Sequence, residues 1–300
     1  MIAVVGAGAV GSYFGGMLAR AGEPVTLIGR AAHVETIRAH GLRIESLVWD
    51  ERIAVAASTE LADARDAAIV LLCVKAGDTA PVGRALAGVL APGTPVVSLQ
   101  NGIENADLLV AAGLAAVPAV VYVAVAIAEP GHVRHTGRGD LILEAPREAP
   151  ARARLVEFAA TCARAGVACV LKDDLAPALW TKLVLNCAFN AVSALGQANY
   201  GAIAAHPEAR AVVACAVEEA TGVAIAAGVR LPEGDLLEAT WRLAGAMPMA
   251  TSSTAQDLAR GRRTEIDALN GYVARRGREL GVATPVNQAL TALVKLREDA

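Results

Sequence analysis

The chain has little with which to grip nucleic acid, a metal ion or a membrane. Only 19% of its 300 residues are charged and 3% aromatic, and 27 lysines and arginines against 30 acids leave a net charge of −3. A surface of that kind, with a pI near 6.0, offers no general attraction to polyanions. The five cysteines, Cys73, Cys162, Cys169, Cys187 and Cys215, are odd in number and include no Cys-x-x-Cys pair, so their spacing supports neither a disulfide framework nor a metal site. Each lies among alanine, valine or leucine and is expected to be a small buried hydrophobe. The histidines His33, His40, His132, His135 and His206 form no ligand set, and no metal is expected; His132 and His135 are read as flanking a hairpin turn. The longest apolar stretch, 115–128, contains Pro118 and falls short of the ~20 residues of a membrane helix. No basic segment followed by a cleavable apolar one precedes the first strand, so a cytoplasmic location is expected.

What is present is a hydrophobic, alanine-rich chain, 55% apolar, long enough for two domains. Short β-rich runs alternate with helical stretches up to about Gln100: Ile2 to Val5, Val25 to Ile28, Ile53 to Ala56, Ala68 to Val74 and Pro95 to Leu99. Continuous apolar strands joined by helices predict a parallel sheet covered on both faces. Val120 to Ala128 and Asp140 to Glu144 predict extra antiparallel strands at its edge, followed by a helix over Arg152 to Ala165 and a last strand, Ala168 to Leu171. After Lys172-Asp173-Asp174 the strand signals vanish, and helical periodicity covers 175–195, 207–228, 232–247, 264–280 and 285–297. The fold class expected is α/β: an N-terminal Rossmann-type dinucleotide-binding domain over 1–173, then an all-helical domain over 174–300, with the substrate in a cleft between them.

The most informative segment is Ile2 to Gly16, where an apolar strand runs into Gly6, Gly8 and Gly11 and then into a helix ending at Gly22. Gly6 allows the tight turn, Gly8 lets the backbone approach a pyrophosphate and Gly11 lets the helix pack closely on the strand. Ala9 and Val10 complete a turn whose free N–H groups and helix dipole favour phosphate. At the end of the next strand, where NAD-binding versions of the fold carry an acid for the ribose, stands Gly29-Arg30. A guanidinium there suits a 2′-phosphate by paired charge-assisted bonds, which points to NADP(H); the alternative is a solvated arginine. Lys75 and Asn101 follow apolar strands, at the ends where ligands of open α/β sheets bind; the alternative for either is a plain turn residue, Asn101-Gly102 especially.

In the helix over 175–195, Lys182, Asn186 and Asn190 are four apart and fall on one stripe of an otherwise apolar surface. Buried polar groups need partners, supplied either by the protein or by a small oxygen-rich ligand. Ser253 and Glu265 lie in a later polar segment, where Arg260, Arg262 and Arg263 read as a solvated turn and Glu265 as an early-helix carboxylate.

Taken together, Gly6-Ala-Gly-Ala-Val-Gly11, Val74-Lys75, Gln100-Asn101-Gly102, Trp180-x-Lys182-Leu-x-x-Asn186-x-x-x-Asn190, Ser253-x-x-Gln256-Asp257 and Thr264-Glu265-Ile266-Asp267-x-x-Asn270-Gly271 resemble the ketopantoate reductase (2-dehydropantoate 2-reductase) family over about residues 1–297. The resemblance implies an NADP-dependent oxidoreductase that reduces ketopantoate to pantoate on the way to pantothenate. It implies Lys182 as catalytic lysine and Glu265 as active-site glutamate, with Asn101, Asn186, Asn190 and Ser253 on the substrate. Gly6, Gly8, Ala9, Val10, Gly11, Arg30, Lys75 and Asn101 would contact the cofactor. One position departs from the pattern: many members carry a further asparagine ten residues beyond Asn190, where this chain has Tyr200 with Asn199 beside it. The partner expected is a small-molecule 2-oxo acid, with a homodimer as the assembly considered. The competing readings are a reductase of another 2-oxo acid and a non-catalytic NADP(H)-binding sensor.

Overall fold

The computed structural model describes residues 1–300. β1 (Ile2–Val5) leads through α1 (Ala9–Arg20) to β2 (Val25–Ile28) and α2 (Ala31–His40), then to β3 (Leu42–Glu45), β4 (Asp50–Ile53), β5 (Ala56–Ser58) and β6 (Ile69–Leu72). α3 (Thr79–Ala87), β7 (Pro95–Ser98), α4 (Asn105–Ala111), β8 (Ala115–Glu129), β9 (His132–Glu144), α5 (Ala149–Arg164) and β10 (Cys169–Lys172) follow. The rest is helical: α6 (Ala176–Gly196), α7 (Tyr200–Ala205), α8 (Pro207–Ala226), α9 (Leu236–Ala246), α10 (Ser253–Ala259), α11 (Asn270–Leu280) and α12 (Pro285–Glu298). The chain divides into two compact units, Met1–Gln100 with Glu104–Leu175, and Asn101–Ile103 with Ala176–Ala300.

The first unit is built on one sheet in the order β4-β3-β9-β8-β7-β6-β1-β2-β5, with β10 beside β9. β1 pairs in parallel with β2 and β6, and every residue of β1, β6 and β7 is buried. Helices cover both faces because successive side chains point to opposite sides. Ile2 and Val4 enter one core with Phe14, Leu18 and Leu27, while Ala3 and Val5 enter the other with Leu72, Leu86 and Leu109.

Several sequence expectations are corrected here. The strand expected at 53–56 is two: β4, antiparallel to β3, and β5, parallel to β2. The two edge strands expected are one long hairpin, β8 with β9, turning at Pro130-Gly131, and it lies inside the sheet, not at its edge, with β7 beside β8 and β3 and β10 beside β9. Gly137-Arg138-Gly139 is a bulged part of β9, with Arg138 at φ 53° and Gly139 at φ 148°. His132 and His135 therefore lie in the same strand, and His135 stacks on Tyr13 with ring centroids 4.3 Å apart. Of the cysteines, Cys162 and Cys187 are buried, Cys73 and Cys169 half-buried and Cys215 exposed, all of them free thiols.

In the second unit α6 is long and apolar enough to cross a membrane by length and composition alone. Its Trp180, Leu183, Val184 and Phe189 instead form a core with Val213, Val217, Val223 and Val273. Two helices absent from the sequence reading, α7 and α10, are short and fixed by side-chain caps. Asn199 accepts from Ala202 N–H at 2.8 Å and Ser252 from Ala255 N–H at 3.0 Å. The helix expected at 264–280 begins only at Asn270. Ile266–Ala268 is a 3-10 turn, so Glu265 precedes that turn and is not an early α-helical carboxylate.

Candidate active site

In the first unit the turn between β1 and α1 is shaped by the backbone demands of its glycines. Gly6 sits at φ +97°, and a Cβ there would lie 2.5 Å from the Val74 amide nitrogen. At Gly11 a Cβ would run into the Gly6 carbonyl and lie 3.1 Å from Cys73 Cβ. Gly8 differs: a Cβ would meet nothing within 4 Å. It caps α1 in an extended conformation with no acid in the first turn behind it, so the N–H groups of Ala9, Val10 and Gly11 are offered without an intrahelical acceptor. Open space above free donors at the positive end of a twelve-residue helix is a fit for a diphosphate.

Arg30 is exposed and is the residue from which α2 departs after β2. Inside the same unit His33 links α2 to α1: its Nδ1 accepts from the Gly131 N–H at 2.9 Å, which leaves Nε2–H to donate to Ser12 Oγ at 3.0 Å. Burial pushes the His33 imidazole below its ordinary pKa. Lys75 is exposed at the end of β6 and opens a 3-10 turn. Behind it Gln100, missed as a functional residue by the sequence reading, donates from Nε2 to the Val74 carbonyl at 3.0 Å and to Thr79 Oγ1 at 2.7 Å, while its Oε1 accepts from Ser98 Oγ at 2.9 Å. Its buried amide thus clasps the ends of β6 and β7. Only its placement between an apolar strand and Asn101 could have signalled it.

In the second unit Asn101 donates from Nδ2 to Glu265 Oε2 at 3.0 Å, bringing together two positions 164 apart in sequence. Glu265 is only 9% exposed, so the bond is shielded from competing water. The segment holding it is tied at its start, where Thr264 N–H donates to Glu298 Oε1 at 2.6 Å. On α6 Lys182 and Asn186 are half-buried and Asn190 is 3% exposed. The Asn190 carbonyl accepts from Ser252 Oγ at 3.0 Å, and the Ser252 N–H donates to Ser193 Oγ at 3.2 Å. Ser252, which the sequence reading passed over, fixes α6 against the start of α10, and the neighbouring Ser253 is exposed on the first turn. Tyr200 is half-buried and packs against the core: its ring stacks on Phe189 at 4.5 Å and 21°, and burial pushes its hydroxyl up to about 12. Asn199 is spent capping α7.

The second unit thus holds one amine, several amides and a buried carboxylate, and the first a turn that fits a diphosphate. The family model described as ketopantoate reductase PanE/ApbA matches residues 2–148, and the corresponding C-terminal model matches 174–298. A 2-dehydropantoate 2-reductase of Halobacterium salinarum is 35% identical over 99% of this chain and 98% of its own. The crystal structure of a PanE/ApbA family ketopantoate reductase from Ralstonia eutropha JMP134 superposes with a TM-score of 0.93 at 48% identity, covering 99% of this chain and 98% of that one. A D-mandelate dehydrogenase solved with NADH and anilino(oxo)acetate superposes at 0.90 with 26% identity, over 99% and 98% of the two chains.

Proposed function

The chain belongs to the ketopantoate reductase family, and from that premise we propose that it reduces the 2-oxo group of ketopantoate to the hydroxyl of pantoate with NADPH, a step towards pantothenate and coenzyme A. The observation that carries the reading is the Asn101–Glu265 bond in the same unit as the Lys182, Asn186, Asn190 stripe. Gly6, Gly8, Ala9, Val10 and Gly11 hold the diphosphate, Arg30 takes the 2′-phosphate, and Lys75 and Asn101 contact the nicotinamide half. The cofactor supplies the hydride that adds to the substrate's carbonyl carbon. Lys182 hydrogen-bonds the carbonyl oxygen and gives it a proton as negative charge builds there, combining electrostatic stabilisation with general acid catalysis. Asn186 and Asn190 hold the substrate's hydroxyl or carboxylate, and Ser253 the carboxylate. Glu265 fixes which way the Asn101 amide faces, and so how it meets the carbonyl region.

A second reading, reduction of a bulkier 2-oxo acid, is favoured by the Tyr200–Phe189 stack at the departing position and by likeness to a protein solved with NADH and anilino(oxo)acetate. NADPH and NADH oxidation scored on ketopantoate, pyruvate, 2-oxoisovalerate and phenylglyoxylate tests both. A site that hydrogen-bonds a substrate hydroxyl rejects analogues lacking it by a large factor. Ketopantoate far ahead with NADPH supports the first reading, phenylglyoxylate ahead supports the second, and no turnover on any leaves a nucleotide-binding sensor.

A further inference from the structure

A chain of polar groups that no part of the proposed chemistry uses runs from the half-buried Glu219 on α8 through the buried Asn287 on α12 and Asn270 on α11 to the backbone of α6. Glu219 on α8 accepts at Oε1 from the Val286 N–H at 2.8 Å, and at Oε2 from the Asn287 N–H at 2.9 Å and Asn287 Nδ2 at 2.8 Å. A carboxylate at the start of α12, meeting free amides at the positive helix end, is held there firmly. Asn287 Nδ2 also donates to the Ala216 carbonyl at 3.1 Å, and its Oδ1 accepts from Asn270 Nδ2 at 2.9 Å. Asn270 Nδ2 gives its other hydrogen to the Cys187 carbonyl of α6 at 3.0 Å. Both asparagines are fully buried.

The order of donors and acceptors allows one arrangement only. Turning the Asn287 amide over would set its oxygen against the Glu219 carboxylate and the Ala216 carbonyl. Turning Asn270 over would set its oxygen against the Cys187 carbonyl and Asn287 Oδ1. An amide offers both hydrogens on one atom and none on the other, so the carboxylate dictates the orientation of the first asparagine and the first dictates the second. The chain ends on the residue after Asn186, five beyond Lys182, and Asn270 is itself five residues beyond Glu265. One rigid link therefore sets the turn of α6 carrying Asn186 and Asn190 against the segment carrying Glu265. Asn270 Oδ1 is buried without a hydrogen-bond partner, a cost a fold retains only where the other atom of that amide is needed.

We infer that Glu219, Asn287 and Asn270 are positioning residues for the reaction, a one-way hydrogen-bond relay that holds Lys182 and Asn186 in register with Glu265. Resting on the reductase reading above, this predicts an effect on turnover more than on binding, because misplacement by about 1 Å can cost on the order of 10²-fold in rate. The variants are Asn270→Ala, and Glu219→Gln, which keeps its shape while turning donors towards donors. Expected are a fall in kcat of about 10- to 100-fold with KM changed less than about threefold. Lys182→Ala should cost less in either background than in the parent enzyme, since residues acting as a unit are not additive. Unchanged kcat in a folded Glu219→Gln, or full additivity with Lys182→Ala, overturns the inference, as does failure of both variants to fold, which marks the relay as structural. Hydrogen exchange separates it from the functional reading: should the parent enzyme turn over no 2-oxo acid, faster exchange confined to 183–191 and 264–270 in Glu219→Gln still supports the relay, and unchanged exchange there, or a rise throughout the helical unit, refutes it.

Discussion

Gly8 and Gly11 stand three residues apart in one turn, and the structure assigns their replacement by alanine opposite outcomes. At Gly8 a Cβ meets nothing within 4 Å and the backbone is at φ −82°, open to any residue. Alanine is a poorer helix cap than glycine, by about 0.5–1.5 kcal/mol, but it also restricts the unfolded chain, by about 0.4–1 kcal/mol in the other direction. The two nearly cancel, and Gly8→Ala should leave the apo protein within about 1 kcal/mol of the parent. At Gly11 the new methyl runs into the Gly6 carbonyl, with Val4 Cγ1 at 3.0 Å and Cys73 Cβ at 3.1 Å, so α1 must move off β1. Overpacking of this kind costs about 1–3 kcal/mol, or about 2–12 °C in Tm at roughly 2–4 °C per kcal/mol. The cofactor reverses the contrast. NADPH at a hundred times its Kd stabilises the parent by about 2.7 kcal/mol, and a Gly8 methyl that weakens binding 100-fold reduces this to about 0.4 kcal/mol. Thermal melts of the three proteins with and without NADPH read all of these quantities. A Gly8→Ala protein with the full NADPH shift refutes placement of the diphosphate at this turn, and a Gly11→Ala protein with the parent Tm refutes the packing argument.

Three further outcomes are expected. Lys182→Ala should lower kcat by ~10²–10⁴ while NADPH affinity, followed by fluorescence, hardly changes; near-normal turnover would make the lysine structural. Arg30→Asp should raise the NADPH KM strongly and the NADH KM little, and equal use of the two cofactors by the parent enzyme would remove the 2′-phosphate from the argument. His33 is neutral and has a lowered pKa in the folded state, so the unfolded chain binds more protons in the window just below the ordinary histidine value of about 6.5. Its contribution to stability is therefore present above that value and is lost as pH falls through the folded pKa. Tm followed from pH 8 to 5 should decline more steeply below about 6.5 in the parent than in His33→Gln.

What the sequence makes legible is local. Ile2 to Val5, the glycines and the helix behind them are neighbours in the chain, and their geometry follows from sterics of a few residues. The Lys182, Asn186, Asn190 stripe is likewise one helix read by its period. Pairings made by distant residues were not legible. β3 and β4 are four residues each, with mixed polar and apolar character, and become strands because β9 supplies an edge for β3. α7 and α10, of six and seven residues, are too short to show a period and depend on the caps Asn199 and Ser252. The segment around Glu265 carries helix-forming residues, but its carboxylate bonds Asn101 from far along the chain, so it forms a 3-10 turn where periodicity suggests a helix. Asn270 and Asn287 look like the polar faces of ordinary amphipathic helices, and only burial separates them from solvated residues.

The histidine that joins α1 to α2 has a consequence for how a dinucleotide arrives. On the proposed reading the donors for the diphosphate stand at the start of α1 and the arginine for the 2′-phosphate, Arg30, at the start of α2, one turn before His33, so the bond from His33 to Ser12 would fix the separation of the two. A ligand whose phosphates match that separation has little ordering of the protein to wait for, which lowers the entropic loss on association. A dinucleotide lacking the 2′-phosphate would leave Arg30 unengaged, and one with a longer bridge would meet a spacing set in advance, so selectivity would reside in the separation of the two sites as much as in the charge at either.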